Sequence, residues 1–152
     1  MGLDMYLTKK YYVQNWQHTT PEDRHEITIT KGGLATAIPT DKIINIETEE
    51  IRWRKANAIH QWFVDNVQDG VDNCGNYYVD SDELRNLLGV IETVLKDHSK
   101  ASELLPTTEG FFFGGTEYDE YYFAELEHTQ KQLSLLLVSD TGEGDFYYNS
   151  SW

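Results

Sequence analysis

The sequence predicts a single α+β domain, in which about three helices pack against one antiparallel sheet. The length of 152 residues suits one domain, and 39% apolar with 25% charged residues is an ordinary composition for a folded chain. Strand patterns come first along the chain, and helical patterns follow, mixed with short apolar runs. This order is typical of α+β folds with an antiparallel sheet. Residues 1–152 are therefore expected to form one globular domain.

Strands are predicted where β-branched and aromatic residues alternate with polar ones. The clearest case is residues 27–30, Ile-Thr-Ile-Thr, which Gly32 and Gly33 close with a turn. Residues 43–51 alternate in the same way. Further strand candidates are apolar or aromatic stretches beside turn residues, at 3–13, 77–79, 111–113 and 145–152.

Three helices are predicted because their apolar residues fall on one side when successive residues are turned by 100°. The first spans residues 53–68, and its apolar stripe consists of Trp53, Ala56, Ile59, Phe63, Val64 and Val67. The second opens with a capping box at residues 80–83 and ends near residues 96–98. The third has Thr116 as its N-cap and Asp119 at its third position, and it ends near Val138.

The net charge of −14 is unevenly distributed along the chain. Residues 1–60 hold eight basic and eight acidic side chains, whereas residues 61–152 hold four basic and eighteen acidic ones. Binding to a duplex nucleic acid depends on clustered Lys and Arg that replace counterions, so a duplex partner is disfavoured. An acidic surface favours a basic partner protein instead, and it can compete for sites that hold nucleic acid.

The sequence predicts no association with a membrane. Residues 1–7 lack the basic and apolar regions of a secretory signal, and Tyr6 stands where a myristoylation motif has Ser or Thr. The longest apolar run, residues 133–138, is far shorter than the roughly 20 residues that span a bilayer. Cys74 is the one cysteine, which suits a reducing compartment. We therefore expect a soluble protein of the cytoplasm.

Four familiar kinds of site are not expected. Residues 114–116 resemble a phosphate cradle, but the acidic residues that follow would repel an anion. Residues 72–83 resemble a calcium loop, yet Tyr77 replaces the required glycine. The five histidines show no spacing typical of a metal site. A Cys74 nucleophile is disfavoured because nearby acids oppose its ionisation. Neither a metal nor a cofactor is therefore expected.

The first predicted helix contains the strongest candidate for a binding surface. His60 falls within its apolar stripe, and Trp62 falls in the middle of its polar face. In one interpretation Trp62 is a flat stacking surface with donors nearby, and the candidate binding residues are Arg54, Lys55, Asn57, His60, Trp62 and Asn66. In the structural alternative, Trp62 lies beneath a neighbouring strand or loop, and His60 is buried and hydrogen-bonded to a backbone carbonyl.

A second candidate surface lies at the start of the third helix. Tyr118 belongs to the apolar stripe of that helix, whereas Tyr121 points away from it, beside Glu120, Glu125 and His128. An aromatic residue in an acidic setting suits a protein interface or a cationic partner. Tyr118 and Tyr121 are therefore candidate partner-binding residues.

Distinctive blocks of sequence are spread along the chain. They are MGLDMYL at residues 1–7, WRKAN at 53–57, IH at 59–60, WFVDNVQ at 62–68, GFFFG at 110–114 with T at 116, YDEYYF at 118–123 and SW at 151–152. Together these blocks resemble a family of small uncharacterised proteins encoded by tailed phages and prophages, and the resemblance extends over nearly the whole chain. The resemblance implies a bacterial cytoplasm during infection or lysogeny as the setting, and it implies no catalytic residues.

Different classes of function are compatible with these observations. The favoured class is a phage-encoded, non-catalytic accessory protein that engages a host or defence protein or sequesters a small ligand. Such a protein would act as a counter-defence or host-takeover factor. The alternative is a small cytoplasmic enzyme that acts on a nucleotide or its derivative, with Arg54, Asn57 and His60 near its site. A structural or assembly role is a third hypothesis. Binding is favoured because the sequence shows no recognisable catalytic motif.

Overall fold

An antiparallel sheet of four strands forms the centre of the fold. The computed structural model describes residues 2–152, so Met1 of the MGLDMYL block lies outside the described residues. The strands of the main sheet are β1 (Asp4–Tyr12), β4 (Asn45–Arg54), β5 (Asn76–Val79) and β6 (Asp145–Ser151). Their order across the sheet is β4–β1–β6–β5, so β4 and β5 are its edges. A separate small hairpin is formed by β2 (Thr30–Lys31) and β3 (Leu34–Ala35).

Four α-helices accompany the sheet in residues 2–152. They are α1 (Asn57–Asn66), α2 (Ser81–Lys96), the single-turn α3 (Ala101–Leu104) and α4 (Glu120–Ser139). The predicted α+β class is confirmed, with one short helix in addition to the three predicted ones. In the described part of the chain, no helix is both long enough and apolar enough to cross a membrane.

The core lies between the helices and one face of the sheet, because side chains alternate between the two faces along each strand. On β1, Met5 and Leu7 point towards the helices and are fully buried. They share one core cluster with apolar residues of other strands and helices, including Ile51, Trp53, Phe63, Leu84, Leu87, Leu126, Leu133 and Phe146. A buried polar contact adds to this packing, since Trp53 Nε1 donates to Thr129 Oγ1 of α4 at 2.9 Å.

The opposite face of the sheet is polar and aromatic. The register places Tyr6 of β1 between Arg52 of β4 and Asn149 of β6. The Arg52 guanidinium lies 5.3 Å from the centre of the Tyr6 ring, at the distance of a cation–π contact. Arg54 is exposed on this same face, where it pairs in register with Asp4.

The first helix begins at Asn57, so the predicted start at residue 53 is wrong. Trp53 and Arg54 belong to β4, where they pair with Met5 and Asp4 of β1. Lys55 then adopts a left-handed backbone conformation with a φ of 58°, which ends the strand and turns the chain into α1. Pairing with β1 therefore overrides a local pattern that also fits a helix.

Two predicted strands are also wrong. Of residues 27–30, only Thr30 lies in a strand, because this stretch has no partner in the main sheet. Residues 111–113 form a turn, closed by a hydrogen bond of 3.2 Å from the Phe113 N–H to the Gly110 carbonyl oxygen. The remaining strand candidates overlap β1, β4, β5 and β6.

The two longer helices begin with acidic caps. The capping box of α2 is confirmed, since Asp80 accepts from the backbone and Glu83 accepts from the Asp80 N–H. The N-cap of α4 is Asp119, and the prediction of Thr116 is wrong. Asp119 Oδ1 accepts hydrogen bonds from the N–H groups of Tyr121 and Tyr122, which starts the helix three residues later.

Candidate functional site

The loop between α3 and α4, residues 105–119, is anchored to the start of α1 by one side chain. Asn57 is only 4% exposed. Its Nδ2 donates to the carbonyl oxygens of Phe113 at 3.0 Å and Gly115 at 2.9 Å, and its Oδ1 accepts from the Thr108 N–H at 3.0 Å. Because both amide hydrogens and the oxygen are engaged, Asn57 positions this α3–α4 loop.

A cleft of about 470 Å³ opens between the α3–α4 loop and the first turns of α1 and α4. Its volume is within the range of small-ligand sites. Residues 55–59 form one wall, and Thr107, Gly114 and Gly115 of the loop form another. The third wall carries the polar and aromatic side chains Glu117, Asp119, Tyr121, Tyr122 and Glu125. We call this the acidic cleft.

The charge of the acidic cleft is negative. Glu117, Asp119 and Glu125 face one cation, Lys55. Burial raises the pKa of the Glu125 carboxyl, and the nearby His128 offsets part of this effect. Within residues 2–152, no three His, Cys, Asp or Glu side chains are placed to hold one metal ion. With three carboxyl side chains and one ammonium, the lining of the cleft carries an excess of acidic groups.

Two tyrosines provide the aromatic surface of the acidic cleft. Tyr121 is 77% exposed, so its ring is available to a partner. Tyr122 is half-buried, and its hydroxyl donates to the Leu105 carbonyl oxygen at 2.8 Å. Burial also raises the pKa of the Tyr122 hydroxyl, which keeps it neutral. The cleft thus combines one fixed and one free aromatic ring with three carboxylates.

Tyr118 supports the cleft from outside its walls. Its hydroxyl accepts a hydrogen bond from the Thr107 N–H at 3.2 Å, and its ring lies 5.0 Å from that of Tyr122 in an edge-to-face arrangement. Tyr118 is 38% exposed, but it lies before α4 and not on the predicted stripe of that helix. Its contacts hold Tyr122 and the α3–α4 loop together.

His60 lies in the core and not on a surface. It is 0% exposed, with Nδ1 at 2.7 Å from the Tyr148 hydroxyl and Nε2 at 3.0 Å from Asp72 Oδ2. Both ring nitrogens therefore have partners, which are side chains and not the backbone carbonyl of the structural alternative. Asp72 Oδ1 also accepts from Trp152 Nε1 at 3.1 Å, so the network reaches the surface.

The interpretation of Trp62 as an exposed stacking surface is wrong. Trp62 is 9% exposed and packs edge-to-face on Phe63 at 5.3 Å. It borders a separate depression of about 230 Å³, shared with Asn66, Leu104 and Pro106. The helical pattern places Trp62 on the polar face of α1. It could not show that α3 and the segment after it cover that face.

The candidate residues named from sequence therefore divide into separate groups. Lys55, Asn57 and Tyr121 meet at the acidic cleft, and Tyr118 supports it. Arg54 lies on the open face of the sheet, whereas the remaining three candidates lie in the core or at the other depression.

Sequence reasoning did not name four side chains of the cleft as candidate binding residues, namely Glu117, Asp119, Tyr122 and Glu125. Glu117 and Asp119 follow residues 114–116, where acidic residues are typical of the start of a helix. A usable indication existed for Glu125, because it follows Tyr121 by four residues and therefore shares its side of the helix. Lys55 is a candidate from sequence as a neighbour of Trp62, but no local pattern could indicate that it lines one cleft with Tyr121.

Comparison with protein-family models, with curated proteins and with solved structures finds no match to this chain. The chemistry of the residues that line the acidic cleft is therefore the basis on which a function is proposed.

Proposed function

We propose that this protein is a non-catalytic binding protein whose acidic cleft takes a cationic group, an ammonium or a guanidinium. The observation that carries the proposal is the presence of three carboxylates and two tyrosine rings around one cleft. Carboxylates form strong charge-assisted hydrogen bonds with such groups, and tyrosine faces attract them through cation–π contact. Lys55 leaves the lining with a net negative charge.

The positions of the residues named for an enzyme support binding over catalysis. Arg54 is on the open face of the sheet, Asn57 is engaged with the α3–α4 loop, and His60 is fully buried. A catalytic base has to reach the proton that it removes. His60 contacts Tyr148 and Asp72 instead. Arg54, Asn57 and His60 therefore do not form a common site.

The biological role that we propose is that of a phage accessory protein, a counter-defence or host-takeover factor of the bacterial cytoplasm. Its support is the resemblance of the sequence blocks to proteins of tailed phages, together with the net charge of −14. An excess of acidic residues attracts a basic partner over a distance and speeds encounter with it. The acidic cleft would then bind a cationic group of the partner.

The test compares two matched variants of α4. Glu125→Gln removes a charge from the cleft, whereas Glu127→Gln removes the same charge from an exposed position that does not line it. Titration calorimetry with arginine amide and with spermidine as probes measures affinity at low salt. We expect about tenfold weaker binding for Glu125→Gln, because a hydrogen bond to a charged group contributes about 1.5 kcal/mol or more. Tyr121→Ala should weaken binding as well.

The control variant Glu127→Gln should bind both probes nearly as the unmodified protein does. Binding should also weaken as salt is added, because solvent ions screen the attraction. Equal losses for the two glutamine variants would show that only the overall charge matters. That result, or the absence of any cation binding, would overturn the proposed function.

A further inference from the structure

Three aromatic side chains form an exposed patch beside the acidic cleft. Phe111 is 94% exposed, Trp152 is 52% exposed and Phe112 is half-buried. A depression of about 360 Å³ lies among them, with Asp72 and Glu109 at its walls. We call these three residues the aromatic patch. Large apolar side chains at such exposure are typical of protein contact sites when they occur together.

The aromatic patch is held in place by hydrogen bonds. Trp152 Nε1 donates to Asp72 Oδ1 at 3.1 Å, and Asp72 is in turn fixed by His60. The carbonyl oxygen of Phe112 accepts from the Leu3 N–H at 3.2 Å. Phe111 therefore projects from a turn whose backbone is anchored. Aromatic residues that are fixed before binding lose little conformational entropy, which makes them effective anchors in an interface.

The α3–α4 loop separates the aromatic patch from the acidic cleft by a few residues. Thr107 and Gly114 line the acidic cleft. Their neighbours Thr108 and Phe113 line the depression at the aromatic patch. Consecutive Cα atoms are about 3.8 Å apart, so the two sites are neighbours across the loop. An extended ligand that crosses the loop can therefore contact both.

The charges around the aromatic patch identify the chemistry of such a ligand. Among the described residues that line the depression, Asp72 and Glu109 are acidic and none is Lys or Arg. The acidic cleft across the loop adds Glu117, Asp119 and Glu125. The combined surface is therefore aromatic with an acidic border, and it complements a segment that has both basic and apolar side chains.

From this arrangement we infer that the ligand is a basic segment of a partner protein that carries an apolar residue close to an Arg or Lys. The Arg or Lys side chain enters the acidic cleft, and the apolar side chain packs on Phe111 and Trp152. This inference rests on the proposed function, because it identifies the molecule that presents the cationic group. A free small cation would fill the cleft and leave the aromatic patch uncovered.

The experiment uses the full-length protein and a series of synthetic peptides. Each peptide has Arg at its centre and Ser elsewhere, with one Leu moved through the other positions in turn, and the reference peptide has no Leu. We expect one or two Leu positions to bind about tenfold more tightly than the reference, since burying one such side chain contributes about 1.5 kcal/mol or more. Phe111→Ser should abolish this gain without changing the affinity of the reference peptide.

A matched control is Val138→Ser, which also removes an apolar side chain, 89% exposed, from the far end of α4. It should keep the gain from Leu. Circular dichroism of both variants checks that they are folded.

Two results would overturn the inference while leaving the proposed function intact. In one, no Leu position improves binding, or Phe111→Ser keeps the gain. In the other, arginine amide and spermidine bind in the acidic cleft, but no peptide binds more tightly than they do. Absence of binding by every cationic probe would overturn both.

Discussion

Asn57 satisfies three backbone groups of the α3–α4 loop with one buried amide. Without these bonds, the carbonyl oxygens of Phe113 and Gly115 and the N–H of Thr108 would lose their partner. The same side chain therefore shapes both the acidic cleft and the aromatic patch, although it need not touch a ligand. We therefore expect that replacing Asn57 lowers the stability of the fold more than it lowers the affinity for a ligand.

Replacing Asn57 by Ala should lower the free energy of unfolding by about 2–4 kcal/mol, because each unpaired buried polar group costs about 1–3 kcal/mol. Urea denaturation measures this loss. Asn66→Ala is the matched control, since Asn66 is exposed and donates only to the Trp62 carbonyl oxygen in its own helix. We expect a loss of about 0.5 kcal/mol there. Similar losses in both variants would show that Asn57 is not a special anchor.

The burial of His60 could be predicted from sequence, but its partners could not. Helical periodicity places residue 60 among apolar neighbours, and the structure buries it completely. Its partners are Tyr148, which is 88 residues away along the chain, and Asp72, which is 12 residues away. The contact with Tyr148 is made where β6 packs on α1, as the 3.9 Å stacking of Phe63 on Tyr148 also shows. For the same reason the pattern could not show that Trp62 is covered.

The turn between α4 and β6 depends on two glycines with different surroundings. Gly142 and Gly144 have φ values of 81° and 74°, in the left-handed region that favours glycine. A Cβ atom on Gly142 would meet nothing within 4 Å, whereas one on Gly144 would lie 2.9 Å from the Tyr11 ring and 3.0 Å from the Lys10 carbonyl oxygen. The second glycine thus lets the turn approach β1 closely.

The two alanine substitutions should therefore differ in their effect. Gly142→Ala should lower the free energy of unfolding by about 1–2 kcal/mol, which is the conformational cost of a left-handed residue. Gly144→Ala should lower it further, by about 2–4 kcal/mol, because the contact with the β1 backbone adds strain. Thermal denaturation of both variants separates the conformational cost from the strain of the contact with β1. An equal loss of unfolding free energy in the two variants would mean that the close approach to β1 adds no strain.

The bounds of α2, which have strong local indications, were predicted well, whereas the boundary between β4 and α1, which depends on distant pairing, was not. The boundaries of α2 follow from its capping box and its apolar spacing, and they need no tertiary information. The boundary between β4 and α1 depends on hydrogen bonds to β1, which lies about 50 residues earlier. The acidic cleft needs α1, α4 and the α3–α4 loop together, so sequence could give only some of its side chains.

A buried ion pair connects distant parts of the whole molecule. Lys9 of β1 and Asp140 of the α4–β6 turn lie 2.8 Å apart, and their side chains are only 5% and 10% exposed. The hydrogen bond from Lys9 holds the pKa of the Asp140 carboxyl below its usual value, and the Gly142 N–H adds to this effect. Burial acts to lower the pKa of Lys9, but the bond and charge of Asp140 outweigh it and raise that pKa.

These shifts determine how stability depends on pH. Asp140 binds a proton less readily in the folded state, so its contribution is complete above the unfolded pKa of about 3.9 and is lost as pH falls through the folded value. Lys9 contributes below its unfolded pKa of about 10.4 and loses this contribution as pH rises through its folded value. Urea denaturation over a pH series should therefore show lower stability at both extremes.

Asp140→Asn should lower the free energy of unfolding near neutral pH by about 3 kcal/mol, because Lys9 remains buried without its counter-charge. The acidic fall in stability should also become shallower in this variant. Asp82→Asn is the control, since its pair with Arg85 is exposed and contributes about 0.5 kcal/mol. A pH profile of Asp140→Asn that parallels that of the unmodified protein would contradict this assignment.

The acidic residues of β4 have a consequence for the behaviour of concentrated protein. As an edge of the main sheet, β4 presents unpaired backbone groups along residues 45–49, which are exposed. Such an edge is a template for aggregation through pairing with another molecule. Glu47, Glu49 and Glu50 would meet the same charges on an antiparallel copy, and this repulsion opposes fibre growth. High salt would screen that repulsion and leave the edge free to pair.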